Sequence, residues 1–449
     1  MNRILIGGTH SGCGKTTVTC GLLKALCNRG LRVSSFKCGP DYIDPMFHKK
    51  ILGIDAHNLD SFFCDDNTLK FLLNEYAAEI SVIEGVMGFF DGINGRGSAY
   101  SVSQITETPA VIVVDCRGMS DSIGAVMCGF LNYRKRHNIR GFIFNRLPEK
   151  MFGFAEKLCE ELGVEFLGGF PRCDFSLESR HLGLVAADEI SGLSQRLEQL
   201  GELAERHLKV DRILELSQAP MPEFTPFLLQ KACAGKSVKI AVARDKAFCF
   251  LYSENVDLLR KLGCETVYFS PLSDETLPSG ICGLIIGGGY PELYARELSE
   301  NKTMLSEIRA AVSKNMPIIA ECGGFMYLHK WLCDTQNSEY QMVGAIDGRA
   351  FKTDKLQRFG YVSLTPKKDN LLCGHDGEIR AHEFHYWDSD NCGDGFSAKK
   401  SDGRTWDCVH ANDNLYAGFP HLYFYSDPRI AQKFVKKCVE FGEKNGENF

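Results

Sequence analysis

The stretch Gly8-Thr9-His10-Ser11-Gly12-Cys13-Gly14-Lys15-Thr16-Thr17 follows a short apolar run, Arg3–Gly7, and opens an amphipathic segment, Lys15–Arg29. A strand, a glycine-rich turn and a helix starting on Lys-Thr-Thr make an anion cradle. Backbone N–H groups freed by the glycines and the positive helix end converge there on a phosphate. Gly8, Gly12 and Gly14 shape the turn, Lys15 reaches the terminal phosphates, and the Thr16 hydroxyl, with Thr17 beside it, faces Mg²⁺. ATP and Mg²⁺ are therefore the expected cofactors. Counting back from Gly14, the usual first glycine falls at Thr9, whereas this chain has it one residue earlier, at Gly8.

Outward from the cradle, apolar runs at Val33–Lys37, Ile80–Glu84, Ala110–Asp115, Gly141–Asn145 and Glu165–Phe170 alternate with helical patterns such as Ser120–Arg136. This alternation predicts a parallel sheet covered on both faces, with ligands at the C-terminal strand ends. Two of those ends carry carboxylates: Lys37-Cys38-Gly39-Pro40-Asp41-Tyr42-Ile43-Asp44-Pro45 and Glu84-Gly85-Val86-Met87-Gly88-Phe89-Phe90-Asp91-Gly92. Magnesium takes few carboxylates together with phosphate oxygens and water, so Asp44 and Glu84 are candidate ligands. Turn formation by Asp41 and Asp44 and helix capping by Glu84 account for these residues equally well when each is taken singly, and the same holds for Asp115. Leu193, Leu197, Leu200 and Ala204 recur at helical spacing and predict one more helix, ending near Val210.

A chain of 449 residues exceeds a single core, which stops growing at roughly 250–300 residues. The pattern decays from Leu216 to Lys236, where Ala219-Pro220-Met221-Pro222 and Thr225-Pro226 break any helix. This places a first domain at 1–215, a linker at 216–236 and a second α/β domain at 237–449. In the second, strands are predicted at Lys239–Arg244, Glu265–Phe269, Gly283–Gly287 and Pro317–Glu321, with helices at Glu254–Leu262 and Met304–Lys314. From Tyr340 onward the sequence is richer in glycine, aromatic and strand-forming residues. A net charge of −6 without a basic run gives no footprint for nucleic acid, and no apolar run approaches the roughly 20 residues that cross a bilayer. The 19 cysteines are scattered, odd in number and free of Cys-x-x-Cys pairs, which predicts free thiols and a cytoplasmic protein.

A second reactive signature lies at Pro317-Ile318-Ile319-Ala320-Glu321-Cys322-Gly323-Gly324. Small residues after an apolar strand permit a sharp turn that exposes a thiol, and a helix N-terminus behind it is expected to lower the thiol pKa. A reactive thiol needs a base near it in space, and His421, at a strand start late in the same domain, is the candidate. Ile285-Ile286-Gly287-Gly288-Gly289-Tyr290 supplies an oxyanion binder through the N–H groups of Gly288 and Gly289. His382-Glu383-Phe384-His385 lacks the spacing that puts two metal ligands on one helical face.

With these motifs in place, the chain resembles the cobyrinate a,c-diamide synthase family, within the cobyrinate/cobyrate synthase group of glutamine-dependent ligases. The resemblance runs nearly end to end, through Gly8–Thr17, Phe36–Pro45, Asn58-Leu59-Asp60, Glu84–Gly88, Val114–Met119, Arg180-His181-Leu182-Gly183-Leu184, Gly287–Glu292, Glu321–Gly324, Arg358–Tyr361 and His382–Tyr386. The early Gly8 is shared with this family and with dethiobiotin synthetases. The resemblance implies a dethiobiotin-synthetase-like ATP-binding domain and a C-terminal class I glutamine amidotransferase domain. It further implies amidation of the a and c side-chain carboxylates of a corrin from ATP, Mg²⁺ and L-glutamine. By position it makes Cys322 the nucleophile and His421 its base. Lys15, Thr16, Asp44, Glu84 and Asp91 become the nucleotide, magnesium and carboxylate-activating set, and His382 and His385 the candidate tetrapyrrole contacts. Many class I amidotransferases carry a glutamate two residues after the histidine; here that position is Tyr423, so the residue orienting His421 is left open. Also open are hydrogenobyrinate or nickel sirohydrochlorin as substrate, a homodimer, and, from a different class, a P-loop ATPase switch with a vestigial second domain. Ammonia free in neutral water would be protonated, so an enclosed passage for it is expected.

Overall fold

The computed structural model describes residues 1–172, 187–227 and 238–446. The chain forms two compact units, Met1–Phe227 and Leu228–Phe449. In the first, seven parallel strands run β1 (Asn2–Gly8), β2 (Val33–Cys38), β3 (Asp55–Leu59), β4 (Ile80–Glu84), β5 (Ala110–Asp115), β6 (Ile139–Asn145) and β7 (Glu165–Phe170). Their spatial order is β3-β2-β4-β1-β5-β6-β7. The strands are buried along nearly their whole length, as expected where helices cover both faces. On one face the helices Lys15–Asn28 and Ala187–His207 pack together over a core that includes Ile4, Val18, Leu22, Val111 and Leu200.

Two elements differ from the sequence reading. Strand β3, Asp55-Ala56-His57-Asn58-Leu59, is too polar to read as a buried strand, yet it pairs with β2 along its whole length. His57 stacks on Tyr76 at 3.8 Å between ring centroids. Asn58 donates to the carbonyls of Gly39 and Asp41, so its polarity is spent on the loop after β2. The final helical stretch is also two helices, Ala187–His207 and Val210–Ser217, rather than one ending near Val210. The Arg180–Leu184 motif lies outside the described residues, as does the 228–236 portion of the stretch read as linker. The earlier part of that stretch, 218–227, has no helix or strand and is tied to the first unit: Asn67 and Thr225 exchange two hydrogen bonds, and Phe71 meets Phe227 edge-on.

In the second unit β8 (Val238–Ala243), β9 (Cys264–Phe269), β10 (Gly283–Ile286) and β11 (Ile318–Glu321) are parallel. There follow β12 (His329–Cys333), β13 (Glu339–Gln341), β14 (Ile346–Pro366), β15 (Ile379–Ser389), β16 (Phe396–Lys399) and β17 (Thr405–Cys408), then β18 (His410–Ala411), β19 (Leu415–Gly418) and β20 (His421–Leu422). One sheet has the order β18-β19-β11-β10-β8-β9; a second, β13-β12-β14-β15-β20, accounts for the strand-rich final third. The chain changes sheets between β19 and β20, across Phe419-Pro420, and that crossing sets His421 beside the end of β11.

Arg3 on β1 is a fully enclosed charge of the first unit. Its guanidinium donates to the carbonyls of Thr106, Ala219 and Pro220 and to the Thr108 hydroxyl, joining a sheet strand to the segment that leaves the unit. Arg3→Met keeps the volume but strands these acceptors. It is expected to cost about 2 kcal/mol or more of stability, read from the urea midpoint of the first unfolding transition.

Candidate active sites

The order β2-β4-β1 places three strand ends side by side, with Lys37 opposite Glu84 and Glu84 opposite Ile6. Just beyond Ile6, the turn from Gly8 to Gly14 wraps the start of the Lys15–Asn28 helix. Gly12 and Gly14 sit at φ 79° and 99°, where only glycine is comfortable. A Cβ on Gly8 would lie 2.4 Å from Cys13 Sγ and 2.7 Å from Lys15 Cγ. A Cβ on Gly14 would lie 1.9 Å from the amide nitrogen of Asn145, which itself donates to the Cys13 carbonyl at 2.8 Å. The early glycine is thus a packing requirement of this turn.

Lys15 is buried, and its ammonium donates to the His10 carbonyl at 3.1 Å. Burial, reinforced by Lys37, lowers its pKa. Thr16 Oγ1 donates to Glu84 Oε1 at 2.7 Å. The centre of the site is a residue the sequence reading did not single out. Lys37 Nζ bridges Asp44 Oδ2 at 2.5 Å and Glu84 Oε1 at 2.8 Å, with Asp41 Oδ2 at 3.9 Å. Burial opposes both charges of this pair, but each holds the other ionised: Lys37 is pushed up by Asp44 and Glu84, and Asp44 is held down by Lys37. Asp41, half-buried beside Asp44, is raised to about 7 by desolvation and by the Asp44 charge. A lysine inside an apolar strand looks like a chance charge in sequence; only the sheet order reveals its two carboxylates.

Asp44 and Glu84, read from sequence as metal ligands, are thus held first by Lys37. Among the described residues no three His, Cys, Asp or Glu side chains gather into a metal cage. The buried Glu84 Oε2 nonetheless has no hydrogen-bond partner. One free carboxylate oxygen next to a threonine hydroxyl fits Mg²⁺, which keeps most of its shell as water and phosphate. Asp91 accepts from the Gly88 backbone at 2.8 Å, and Phe89 N–H donates to the Gly8 carbonyl at 2.8 Å, so the loop after β4 is clamped onto the cradle. Thr17 lies in the first turn of the helix, partly buried. Asp115 accepts from the Arg117 backbone and pairs with Arg117 and Arg146, in keeping with the turn-capping reading.

In the second unit, β11 ends at Glu321 and the chain reverses at Cys322 with φ 46° and ψ −100°, outside the ordinary range for a side-chain-bearing residue. The turn is held by Cys322 N–H donating to Gly418 O and by Gly324 N–H donating to Gly287 O. A Cβ at Gly324 would sit 2.1 Å from Ile286 O, and one at Gly323 would sit 3.1 Å from Gly289 N. The thiol turn and the Gly287–Gly289 turn are therefore in direct contact. A Cβ on Gly288 would lie 2.5 Å from His421 Cε1, which brings the imidazole to the same turn. Cys322, Gly288, Gly289 and His421 thus share one place in the fold.

One sequence expectation is corrected. Burial pushes the Cys322 thiol well above the ordinary range, and the nearby Glu292, Glu383 and Glu321 add to it. The Gly323 N–H acts the other way but is outweighed by burial. Glu292, on the turn after Gly289, is itself raised to about 7 by burial. His382 lies opposite His421 in the β15–β20 pair, with ring centroids 6.3 Å apart, and burial lowers its pKa to about 3. His385 faces inward: it hydrogen-bonds Glu383 at 3.0 Å and Trp387 O at 2.5 Å and stacks on Phe419 at 3.9 Å. These contacts pack His385 within the second sheet, while the strand pairing puts His382 beside His421.

A family model described as a CobQ/CobB/MinD/ParA nucleotide binding domain matches residues 4–184, and one described as a CobB/CobQ-like glutamine amidotransferase domain matches residues 239–429. Fold and sites together define the class: an α/β, two-domain carbon–nitrogen ligase that takes its nitrogen from glutamine. The chain is 39% identical to a cobyrinate a,c-diamide synthase of Caldanaerobacter subterraneus subsp. tengcongensis, covering 98% of this chain and 99% of that one. It is 38% identical to the enzymes of that name from Priestia megaterium, over 97% of each chain, and from Thermoplasma volcanium, over 98% of each. The chain belongs to the cobyrinate a,c-diamide synthase family. No helix among the described residues is long and apolar enough to cross a membrane.

A thiol held above its ordinary pKa is mostly protonated at neutral pH, so alkylation should be slow there and should speed up as pH rises. Peptide mass spectrometry should find Cys322 alkylated by iodoacetamide at least about tenfold more slowly than a free thiol near pH 7.5. The rate should still be climbing above about pH 10.5, where an ordinary cysteine with a pKa of about 8.5 has levelled off.

Proposed function

We propose that this enzyme uses ATP and glutamine to amidate the a and c side-chain carboxylates of cobyrinate, by way of acyl phosphates. A free carboxylate has no group that ammonia can displace; transfer of the γ-phosphoryl to it creates one. Lys15 and the turn amides of Gly12 and Gly14 stabilise charge on the transferring phosphoryl. Thr16 and Glu84 would hold Mg²⁺, which when bound would supply positive charge against the phosphates. Asp44 fixes the Lys37 ammonium at the strand ends, and Asp91 keeps the loop after β4 against the cradle; both act through the groups they hold.

Ammonia comes from the second unit. Cys322 passes its thiol proton to His421 as its sulfur bonds to the amide carbon of glutamine. The oxyanion that forms faces the N–H groups of Gly288 and Gly289. His421 returns the proton to the leaving nitrogen as the C–N bond breaks, giving ammonia and a thioester, which water hydrolyses to glutamate. Ammonia then displaces phosphate from the acyl phosphate. The raised thiol pKa supports this order, because the thiolate has to be made in place by a neighbouring base.

The observation that carries the reading is that one chain holds both a phosphate cradle with an unpartnered carboxylate oxygen and a strained thiol turn packed on a glycine turn that also meets a histidine. Incubation with ATP, Mg²⁺, glutamine and cobyrinate should give products carrying one and then two amides by mass spectrometry; no mass gain with cobyrinate would reject the substrate. Cys322→Ala should lower the glutamine-driven rate at least about 10³-fold while ammonium salts still support amidation. Glutamine-driven product that survives this substitution would remove Cys322 from the mechanism.

A further inference from the structure

The second domain has no glutamate two residues after its histidine. Tyr423 stands there, buried, with its ring edge-on to Tyr252 at 5.0 Å. That position is spent on aromatic packing, yet a buried imidazole that must accept and return a proton needs a fixed ring and a fixed tautomer. A carboxylate does reach His421, from another strand. Glu321 Oε2 lies 3.4 Å from the buried His421 Nδ1, at ion-pair distance but not aligned as a hydrogen bond, and Glu321 Oε1 accepts the backbone N–H of Leu422 at 3.3 Å. Both side chains are buried, at 8% and 3% of their free exposure. Of the other acids near the thiol, Glu383 is engaged by His385, and Glu292 lies on the glycine turn.

We infer that Glu321 is the positioning residue for His421, doing from the strand before the nucleophile what a glutamate after the histidine does elsewhere. The inference rests on the reading of Cys322 and His421 as the ammonia-releasing pair. Glu321 holds Nδ1 as the protonated nitrogen, so that Nε2 is the one left to exchange a proton with the thiol and the leaving amine. Its second oxygen grips Leu422, the residue after His421, and so fixes the start of β20 together with the ring. Because Glu321 and Cys322 are consecutive, one strand end carries both the nucleophile and the group that aims its base.

Glu321→Gln keeps the size and the acceptor for Leu422 but removes the charge, while Glu321→Asp keeps the charge on a shorter arm. The glutamine-driven kcat of Glu321→Gln should fall about 10²- to 10⁴-fold with KM for glutamine within about threefold, and ammonia-driven amidation should stay near wild type. Glu321→Asp should recover part of the loss. In the native protein labelled with ¹⁵N-histidine, the His421 signal, assigned by its disappearance in His421→Asn, should be that of the neutral Nδ1–H tautomer. A Glu321→Gln rate within twofold of wild type, in a protein whose Cys322→Ala variant is inactive with glutamine, would overturn the inference and leave the nucleophile in place. So would an Nε2–H tautomer in the native protein, which decides the matter even if the substituted chains fail to fold. Persistence of glutamine-driven activity in Cys322→Ala would instead sink the underlying reading.

Discussion

Parallel pairing sends every loop that follows a strand to the same edge of its sheet, and both reactive sites of this chain are products of that constraint. In the first unit the neighbours β2, β4 and β1 carry Lys37, Glu84 and the Gly8–Gly14 turn at or next to their C-terminal ends. None of these groups touches its partners through sequence proximity; they meet because their strands are adjacent and in register. In the second unit β10 and β11 are adjacent in the same way, and they deliver the glycine turn and the thiol turn to one spot.

The two sites spend their burial differently. Around the cradle, a buried ammonium lies between two carboxylates, which leaves an excess negative charge and one carboxylate oxygen without a partner. Around the thiol, the surrounding acids and the loss of water both oppose ionisation. A protonated, enclosed sulfur is a poor nucleophile toward anything but a substrate that brings the base into play. The backbone at Cys322 carries a cost of about 1–3 kcal/mol for its unusual dihedrals. That conformation persists because Gly323 and Gly324 let the next turn press against Pro291 and Ile286, where any side chain would collide.

Much of this was readable without coordinates. Strands β4, β5 and β7 fall where the apolar runs end, since a strand buried on both faces has no choice but to be apolar. The cradle, the thiol turn and the late histidine were legible because each is a local departure from ordinary composition. What could not be read is non-local. Strand β3 hides because His57 and Asn58 satisfy their polarity against Tyr76 and the Gly39–Asp41 loop, partners invisible in a window of a few residues. Lys37 gains meaning only from the strand beside it. The thiol pKa was misjudged because a helix N-terminus can be seen in sequence and burial cannot.

Glu321 is the sharpest case, since it stands in the motif that was singled out and yet reads there as the last residue of a strand. Its partner lies one hundred residues on, reached only after the chain has laid down β12 through β19 and crossed from one sheet to the other. That crossing at Phe419-Pro420 is what points His421 back at β11. With His385 stacked on Phe419 and the Tyr416 hydroxyl donating to the Pro420 carbonyl, the crossing is packed from both sides. His385, which the family resemblance makes a candidate substrate contact, is here part of the packing around the bend that leads into His421.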